Sequence, residues 1–384
     1  MRHFKTMLLA TAGAVIAAPM IGGTAVAQDA TAEINKMKRE VVSKGVGNVQ
    51  LRISGQVNRA LNVVNDGDTT ELFNVDNDNS SSRVRFQGRA GVTDDLQLGT
   101  NFEVQFESNS TADVSQENEQ GQGPNNFTER KIELFVRSKT YGRISLGQGD
   151  TASNGTSEQD LSKTGVIAYS GVSDMAGGIE FLDDNDNLTG TSIGDVFSNL
   201  DGLSRDDRVR YDTPTFAGFT ASTSWGADDA FDVALRYASE FGGIRVAAAV
   251  AYADGEDGGA VTLDERINGS ASVLHTPTGL NLTFAAGQDE LDGADNDPMF
   301  WYVKLGWIAN FFPIGPTAFA IDYGYSEEID AEDDEAQTYG IFAVQHLSDW
   351  GAEFYTGVRN YDADLEATST EDIFVWMTGA RFKF

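Results

Sequence analysis

From residue 49 onward the chain alternates apolar and polar side chains in run after run, and the alternation rarely gives way to helical spacing. A period of two belongs to extended backbone, whose successive side chains point to opposite faces. In LQLGTNFEVQF, Leu96, Leu98, Phe102, Val104 and Phe106 share one side, and Gln97, Asn101, Glu103 and Gln105 the other. In WYVKLGW, Trp301, Val303, Leu305 and Trp307 oppose Tyr302 and Lys304. Sixteen such runs are predicted, near 49–61, 83–93, 96–108, 130–138, 142–149, 207–213, 217–226, 231–241, 243–253, 265–276, 279–288, 299–311, 315–326, 336–347, 350–361 and 372–384. One run alone fits a soluble sandwich; an even number of them in succession fits a closed barrel whose outer face meets lipid. The connections agree. Short turns such as TDD (93–95), FGG (241–243), TPTG (276–279) and LSDW (347–350) are each followed by a longer polar loop, with GADDA (226–230) the short exception. The pattern therefore predicts an all-β fold, a 16-stranded antiparallel transmembrane β-barrel with short periplasmic turns and long external loops.

The barrel is expected to occupy 49–384. Residues 1–27 carry Arg2 and Lys5, an apolar run from Met7 and the small-residue site Ala25-Val26-Ala27, the pattern of a secretory signal peptide. Residues 28–48 are read as a periplasmic linker, helical over 31–44, where Ile34, Met37 and Val41 fall at a, d, a spacing. No later stretch is apolar for the ~20 residues a membrane helix needs. A formal net charge of −32 excludes a general phosphate-neutralising surface, and hence a nucleic-acid partner. The absence of cysteine excludes disulfides, thiol chemistry and a lipidated-cysteine anchor, and suits passage through an oxidising periplasm.

SSRVRFQGRAGV sets Arg83, Arg85, Gln87 and Arg89 on one face of a strand, with Val84, Phe86 and Ala90 on the other. An arginine facing lipid at mid-membrane costs roughly 2–4 kcal/mol, so the ladder is expected to line water. The same parity turns Arg52, Lys131, Arg208, Arg210 and Arg245 inward, opposite Ile53, Ile132, Val209, Tyr211 and Val246. Parity favours Lys131 over Arg130, and a bulge would reverse that. The longest connection, 150–206, holds eleven acidic and two basic residues, and a loop of that length in a compact fold suggests a function.

The terminal DIFVWMTGARFKF, with Phe374, Trp376, Ala380, Phe382 and Phe384 on one face, resembles the last strand of the Gram-negative general porins. SSSRVRFQGRAGVTDDLQLGTNFEVQF resembles that family's second and third strands, YGRISLGQGD (141–150) the strand leading into its third loop, VRYDTPTFAGF (209–219) its sixth-to-seventh strand turn, and VQHLSD (344–349) the turn before the penultimate strand. Met377 departs from the usual polar residue of the terminal signal. The resemblance implies a trimer, and a third loop folded into the barrel so that an acidic edge faces a basic wall. On that basis Arg83, Arg130 or Lys131, and Arg208 or Arg210 are candidates for the wall. SDMAGG (173–178) is similar to the family's loop-tip motif without its Pro-Glu-Phe portion, making Asp174, Asp183 and Asp184 the acidic candidates. Phe384 would be read by the outer-membrane assembly machinery.

The function these readings imply is a water-filled outer-membrane channel for passive diffusion of ions and small hydrophilic solutes, without a cofactor. A substrate-selective channel is the alternative, ahead of a barrel hydrolase or an adhesion barrel. Hydrolysis needs a histidine beside its partner, and the two histidines past the leader, His275 and His346, both adjoin predicted periplasmic turns. DNDNSS (76–81) and DDNDNL (183–188) begin like calcium loops but lack Gly at the sixth and Glu at the twelfth position, so no specific metal site is expected. The seven carboxylates of EEIDAEDDE (327–335) suggest loose divalent cations, such as calcium, where lipopolysaccharide phosphates are bridged.

Overall fold

The computed structural model describes residues 43–44, 49–121, 127–227, 229–255, 262–366 and 368–384. The barrel strands are β1 (Gln50–Asn65), β2 (Arg83–Gly91), β3 (Leu96–Phe106), β4 (Phe127–Ser138), β5 (Gly142–Asp150), β6 (Arg205–Asp212), β7 (Phe219–Trp225) and β8 (Phe231–Phe241). They continue as β9 (Ile244–Asp254), β10 (Thr262–His275), β11 (Leu280–Asp292), β12 (Met299–Phe312), β13 (Gly315–Glu327), β14 (Glu335–Leu347), β15 (Ala352–Leu365) and β16 (Ile373–Lys383). All sixteen predicted strands form. Several run further at the loop end than the alternation indicates: β1 reaches Asn65, β11 Asp292 and β15 Leu365. There the ladder continues among polar side chains, where no lipid imposes a two-residue period.

Each strand pairs antiparallel with its sequence neighbour, and β1 closes the ring on β16 from Gln56↔Lys383 to Asn65↔Phe374. Closure satisfies every ladder and leaves no edge, as a bilayer without hydrogen-bonding solvent requires. The second wall element is split: Thr70–Asp76 covers the upper part of β1, and β2 covers the lower part. Between them 77–82 turns inward, where Gln56 Nε2 donates to the carbonyls of Ser80 (3.0 Å) and Ser81 (2.8 Å). At the short-turn end Gly242 and Gly243 both take positive φ (57° and 80°) between the paired residues Phe241 and Ile244, as a two-residue hairpin turn of the primed type demands.

Outward residues form an apolar belt. Aromatics mark both rims: Tyr141, Phe216, Trp350 and Phe384 at the short-turn end, and Phe106, Phe127, Trp225 and Phe374 at the loop end, all exposed. No helix among the described residues is long and apolar enough to cross a membrane, so the strands do the crossing. The expected leader (1–27) and most of the linker (28–48) lie outside the described residues. Ser43–Lys44, placed by the sequence at the end of a helix, instead pair antiparallel with Gln50 and Leu51.

Phe384 seals the seam. Its N–H donates to Gly55 O (3.0 Å), its carbonyl accepts from Gly55 N (2.8 Å), and its ring occupies the space a Cβ on Gly55 would need. Deleting Phe384 should lower the yield of heat-modifiable barrel in the outer membrane while leaving export unchanged. Normal yield on unheated gels would mean that the seam closes without it.

Candidate functional site

The third long loop, 151–204, leaves β5 and returns to β6 although those strands pair directly, from Arg205↔Asp150 to Asp212↔Arg143. All of it is therefore free to fold inside. It runs around the inner wall, pinned strand by strand. Asp232 on β8 accepts the N–H of Ser153 (2.7 Å), and Asn268 on β10 donates to Ser157 Oγ (2.6 Å). Lys304 on β12 donates to Asp160 Oδ2 and to Ala168 O, both at 2.7 Å. Tyr361 on β15 donates to Val172 O (2.7 Å), and Asn62 on β1 to Met175 O (2.7 Å). Between these pins the loop buries Val166, Ile167, Met175, Ile179, Phe181 and Phe197 against inward Phe300, Tyr302, Phe342, Val375 and Met377. Full burial of such side chains contributes roughly 1.5–3 kcal/mol each. The lumen beneath β12–β16 is filled, and Lys304, on the polar side of its strand, is dry at 0% exposure.

The space left open is bounded by a basic wall. Glu103 on β3, fully buried, is the hub: Arg85 pairs with it, Arg130 Nε lies 2.9 Å from Oε1, and Arg83 Nη1 lies 3.5 Å from the same oxygen. In the β3–β4 ladder Glu103 faces Lys131 while Val104 faces Glu129, so Arg130 is an extra residue. That bulge turns both Arg130 and Lys131 inward, and the alternative left by parity resolves to both. Lys131 pairs with Asp150, which also lies 3.3 Å from Arg205. Arg205, which parity alone did not select, stands within electrostatic reach of Arg83 and Arg130 on its own side and of Glu158 on the loop.

The remaining basic candidates divide. Arg52, beside Gln87 in the ladder, and Arg89, beside Gln50, sit nearer the short-turn end. Arg210 staples the start of the loop, donating to Thr151 O (2.6 Å) and to Asp212 (2.7 Å). Arg208 is not pore-lining: its guanidinium is sealed in the wall against Glu133 (2.6 Å) and the carbonyls of Gly147 and Asp150.

Of the acidic candidates, Asp174 stands within electrostatic reach of Glu158 on the same loop. It accepts from Tyr169 Oη, and burial together with nearby Asp78 raises its pKa to about 7. Asp183 and Asp184 are displaced from it. Asp183 accepts the N–H groups of Asn185 (2.8 Å) and Asn187 (3.0 Å) in the turn of the hairpin Glu180–Leu182/Leu188–Ser192, and it bridges to Thr370 at the loop end. Such a self-satisfied turn stays at the surface. In their place stand Glu158 and Asp201. Burial raises the pKa of Asp201, against the N–H groups of Gly155 (2.6 Å) and Ser157 (2.8 Å) that it accepts from and that favour its ionised form. Enclosure by the walls, then the charges of Asp201 and Asp174, raise the pKa of Glu158 to about 8. Neither residue carries a local motif; only the loop's path brings them together.

A family model described as Gram-negative porin matches residues 6–365. Among solved structures, an anion-selective porin from Comamonas acidovorans superposes with a TM-score of 0.61 at 15% identity, covering 88% of this chain and 100% of that one. OmpT of Vibrio cholerae in its trimer form gives 0.55 at 15% identity (88% and 100% covered), and Salmonella typhi OmpF in complex with daunomycin 0.54 at 14% (88% and 98%). No curated protein sequence matches. At such identities the structures establish the fold alone.

Replacing Arg83 and Arg85 by Ser should leave folding intact, because Glu103 keeps Arg130 and no lipid contact changes. Selectivity should move toward cations, and more at low salt, since the Debye length is about 30 Å at 0.01 M and about 3 Å at 1 M. An unchanged reversal potential at low salt in a folded double variant would remove these arginines from the ion path.

Proposed function

The chain belongs to the Gram-negative porin family, and we propose that solutes in the channel it forms across the bacterial outer membrane are sorted by a transverse field between the arginine wall and the third loop. The channel serves passive diffusion of ions and small hydrophilic solutes, and flux follows each solute's own gradient. The observation that supports the sorting is that Arg205 stands within electrostatic reach of Glu158 on the loop and of Arg83 and Arg130 on the wall. Opposed charges across a narrow opening with low-dielectric walls orient water and polar solutes, and they make passage costly for apolar ones.

We read the barrel as a channel without catalytic function. His275 Nδ1 is engaged by Thr278 Oγ1 (2.8 Å), and His346 contacts Lys163 O (3.0 Å) and Glu353 (3.3 Å), whose carboxylate also serves Arg381 and Lys383. Both rings are tied into turn and wall structure. A homotrimer is the proposed assembly, supported by the fold it shares with an OmpT described as a trimer. Partners in the membrane are lipid, lipopolysaccharide and the assembly machinery. No group of three or more metal-ligating side chains among the described residues is arranged to hold a metal ion, and carboxylates of 327–335 act as diffuse charge toward the divalent cations that bridge lipopolysaccharide.

The loop carboxylates give the field a pH dependence. Asp174 and Glu158 have raised pKa values, about 7 and about 8, so each is neutral in mild acid and gains its negative charge as pH rises through that value. Cation preference should therefore increase between about pH 6 and about pH 9, well above the ordinary carboxylate range. Glu158→Gln should remove the upper part of that response. A flat reversal potential across the range would show that the two carboxylates do not face the permeating ions.

A further inference from the structure

Charge is divided along the barrel axis. The long connections are acidic: 66–82 and 328–334 each hold five acidic side chains and no basic one, and 107–126 holds four and none. The strand ends beside them repeat the sign. Glu335 on β14 stands directly between Glu327 on β13 and Asp364 on β15. Like charges set opposite one another in a sheet are destabilising, so this rim is kept at some cost to the fold. In loop 151–204 the single basic residue, Lys163, lies low, its carbonyl 3.0 Å from His346 Nε2 near the foot of β14.

The inner wall toward the short turns carries the opposite sign. Arg137 on β4 and Arg143 on β5 are directly opposed, the cationic counterpart of the acidic rim. Both have the inward parity of their strands, because Val136 and Ile144 are exposed on the outer face. Arg143 pairs with Glu133 (2.7 Å), and Arg137 is exposed. By the same parity Arg52 faces inward on β1 and Arg89 on β2, opposite Ile53 and Ala90. Arg245, beside the turn 242–243, pairs with Glu240 (3.3 Å), and Arg381 and Lys383 at the end of β16 share the single carboxylate of Glu353. The turns 213–218, 242–243 and 276–279 hold no charged residue that would offset this wall.

We infer that the channel is an ionic rectifier: an acidic mouth above loop 151–204 joined in series to a basic vestibule below it, so that at low salt it passes more current when the external side is positive. The inference rests on the channel reading above and concerns the axis of the pore, whereas the transverse field acts across it. Fixed carboxylates raise the local concentration of cations, and fixed guanidinium groups that of anions. With the external side positive, cations leave the acidic mouth inward and anions leave the basic vestibule outward. Both enter the junction at the loop, which fills with carriers and conducts. With the polarity reversed both are drawn away, and the junction empties. Each field must span the opening for this to happen, which a Debye length of about 30 Å at 0.01 M allows and one of about 3 Å at 1 M does not.

The full chain is reconstituted from detergent into a planar bilayer. Its orientation is read with a membrane-impermeant cationic thiol reagent acting on Asp330→Cys, the chain having no other cysteine. At 0.01 M KCl the current with the external side positive is expected to exceed the current at the opposite voltage about twofold or more, and the ratio should approach unity at 1 M. Replacing Arg89, Arg137 and Arg245 together by Gln should abolish the asymmetry and keep the conductance at 1 M, since a neutral amide still meets water at each position. Equal currents at 0.01 M, or a larger current with the external side negative, would overturn the rectifier and leave the channel reading standing. A folded, heat-modifiable barrel that passes no current would overturn both. Asymmetry undiminished in the triple variant would remove the basic vestibule as its source. Arg137→Gln alone, which relieves an opposed pair of arginines, should lower the ratio and keeps the test open should the triple variant fail to assemble.

Discussion

Hydrocarbon on one side of a strand and water on the other is the constraint from which the rest of this molecule follows. It fixes side-chain parity along every strand, and it forbids an unpaired backbone group within the belt. Parity sends Arg83 and Arg85 inward because Val84 and Phe86 must go outward, and the barrel's closure on β16 holds that register. The constraint is relaxed at one telling point. The bulge opposite Glu103 and Val104 inserts Arg130 beside Lys131, so two consecutive basic residues face the lumen where strict alternation permits one. The basic wall is densest there, and the buried carboxylate of Glu103 makes the crowding tolerable by accepting from the arginines around it.

A second hydrophobic core lies inside the barrel and decides where the channel runs. Strands β12–β16 are apolar on both faces over part of their length: in IFVWM (373–377), Phe374 and Trp376 meet the membrane while Ile373, Val375 and Met377 are fully buried against loop residues. The loop cannot swing away without exposing that surface. Nor can it shift easily past Lys304, whose dry ammonium depends on Asp160, since breaking a buried ion pair by losing one partner costs about 3–5 kcal/mol. The basic side chains stand on the inner wall of β2–β6, apart from this apolar core.

Strand number, parity and the short-turn end were legible because lipid writes a two-residue period into the sequence. Arg83, Arg85 and Lys131 were legible by the same route. What escaped has a common physical character. Arg130 depended on a bulge, which changes register without changing composition. Arg208 shares the parity of a pore residue, but it is consumed by Glu133, a partner 75 positions away in the chain. The path of loop 151–204 is set by pins to strands scattered around the barrel, none of which has a local signal, so Glu158 and Asp201 were invisible while Asp183 and Asp184 looked equally acidic. An exposed Asx turn and a constriction carboxylate read alike until something states which one is enclosed.

The opposing charges of mouth and constriction can be weighed once their positions are known. The acidic stretch 327–335 joins β13 to β14 at the loop end, and its carboxylates attract cations there. Along the inner wall Arg83, Arg85, Arg130, Lys131 and Arg205 pair with Glu103 and Asp150, an excess of three positive charges. The facing loop offsets this incompletely near neutrality, because burial and neighbouring carboxylates hold the pKa values of Glu158 and Asp174 well above the ordinary carboxylate range. Exposed charges more than a Debye length apart, about 8 Å at physiological salt, are largely screened from one another. The net charge of −32 is therefore a poor guide to the inner wall, where arginine and lysine outnumber the carboxylates they pair with.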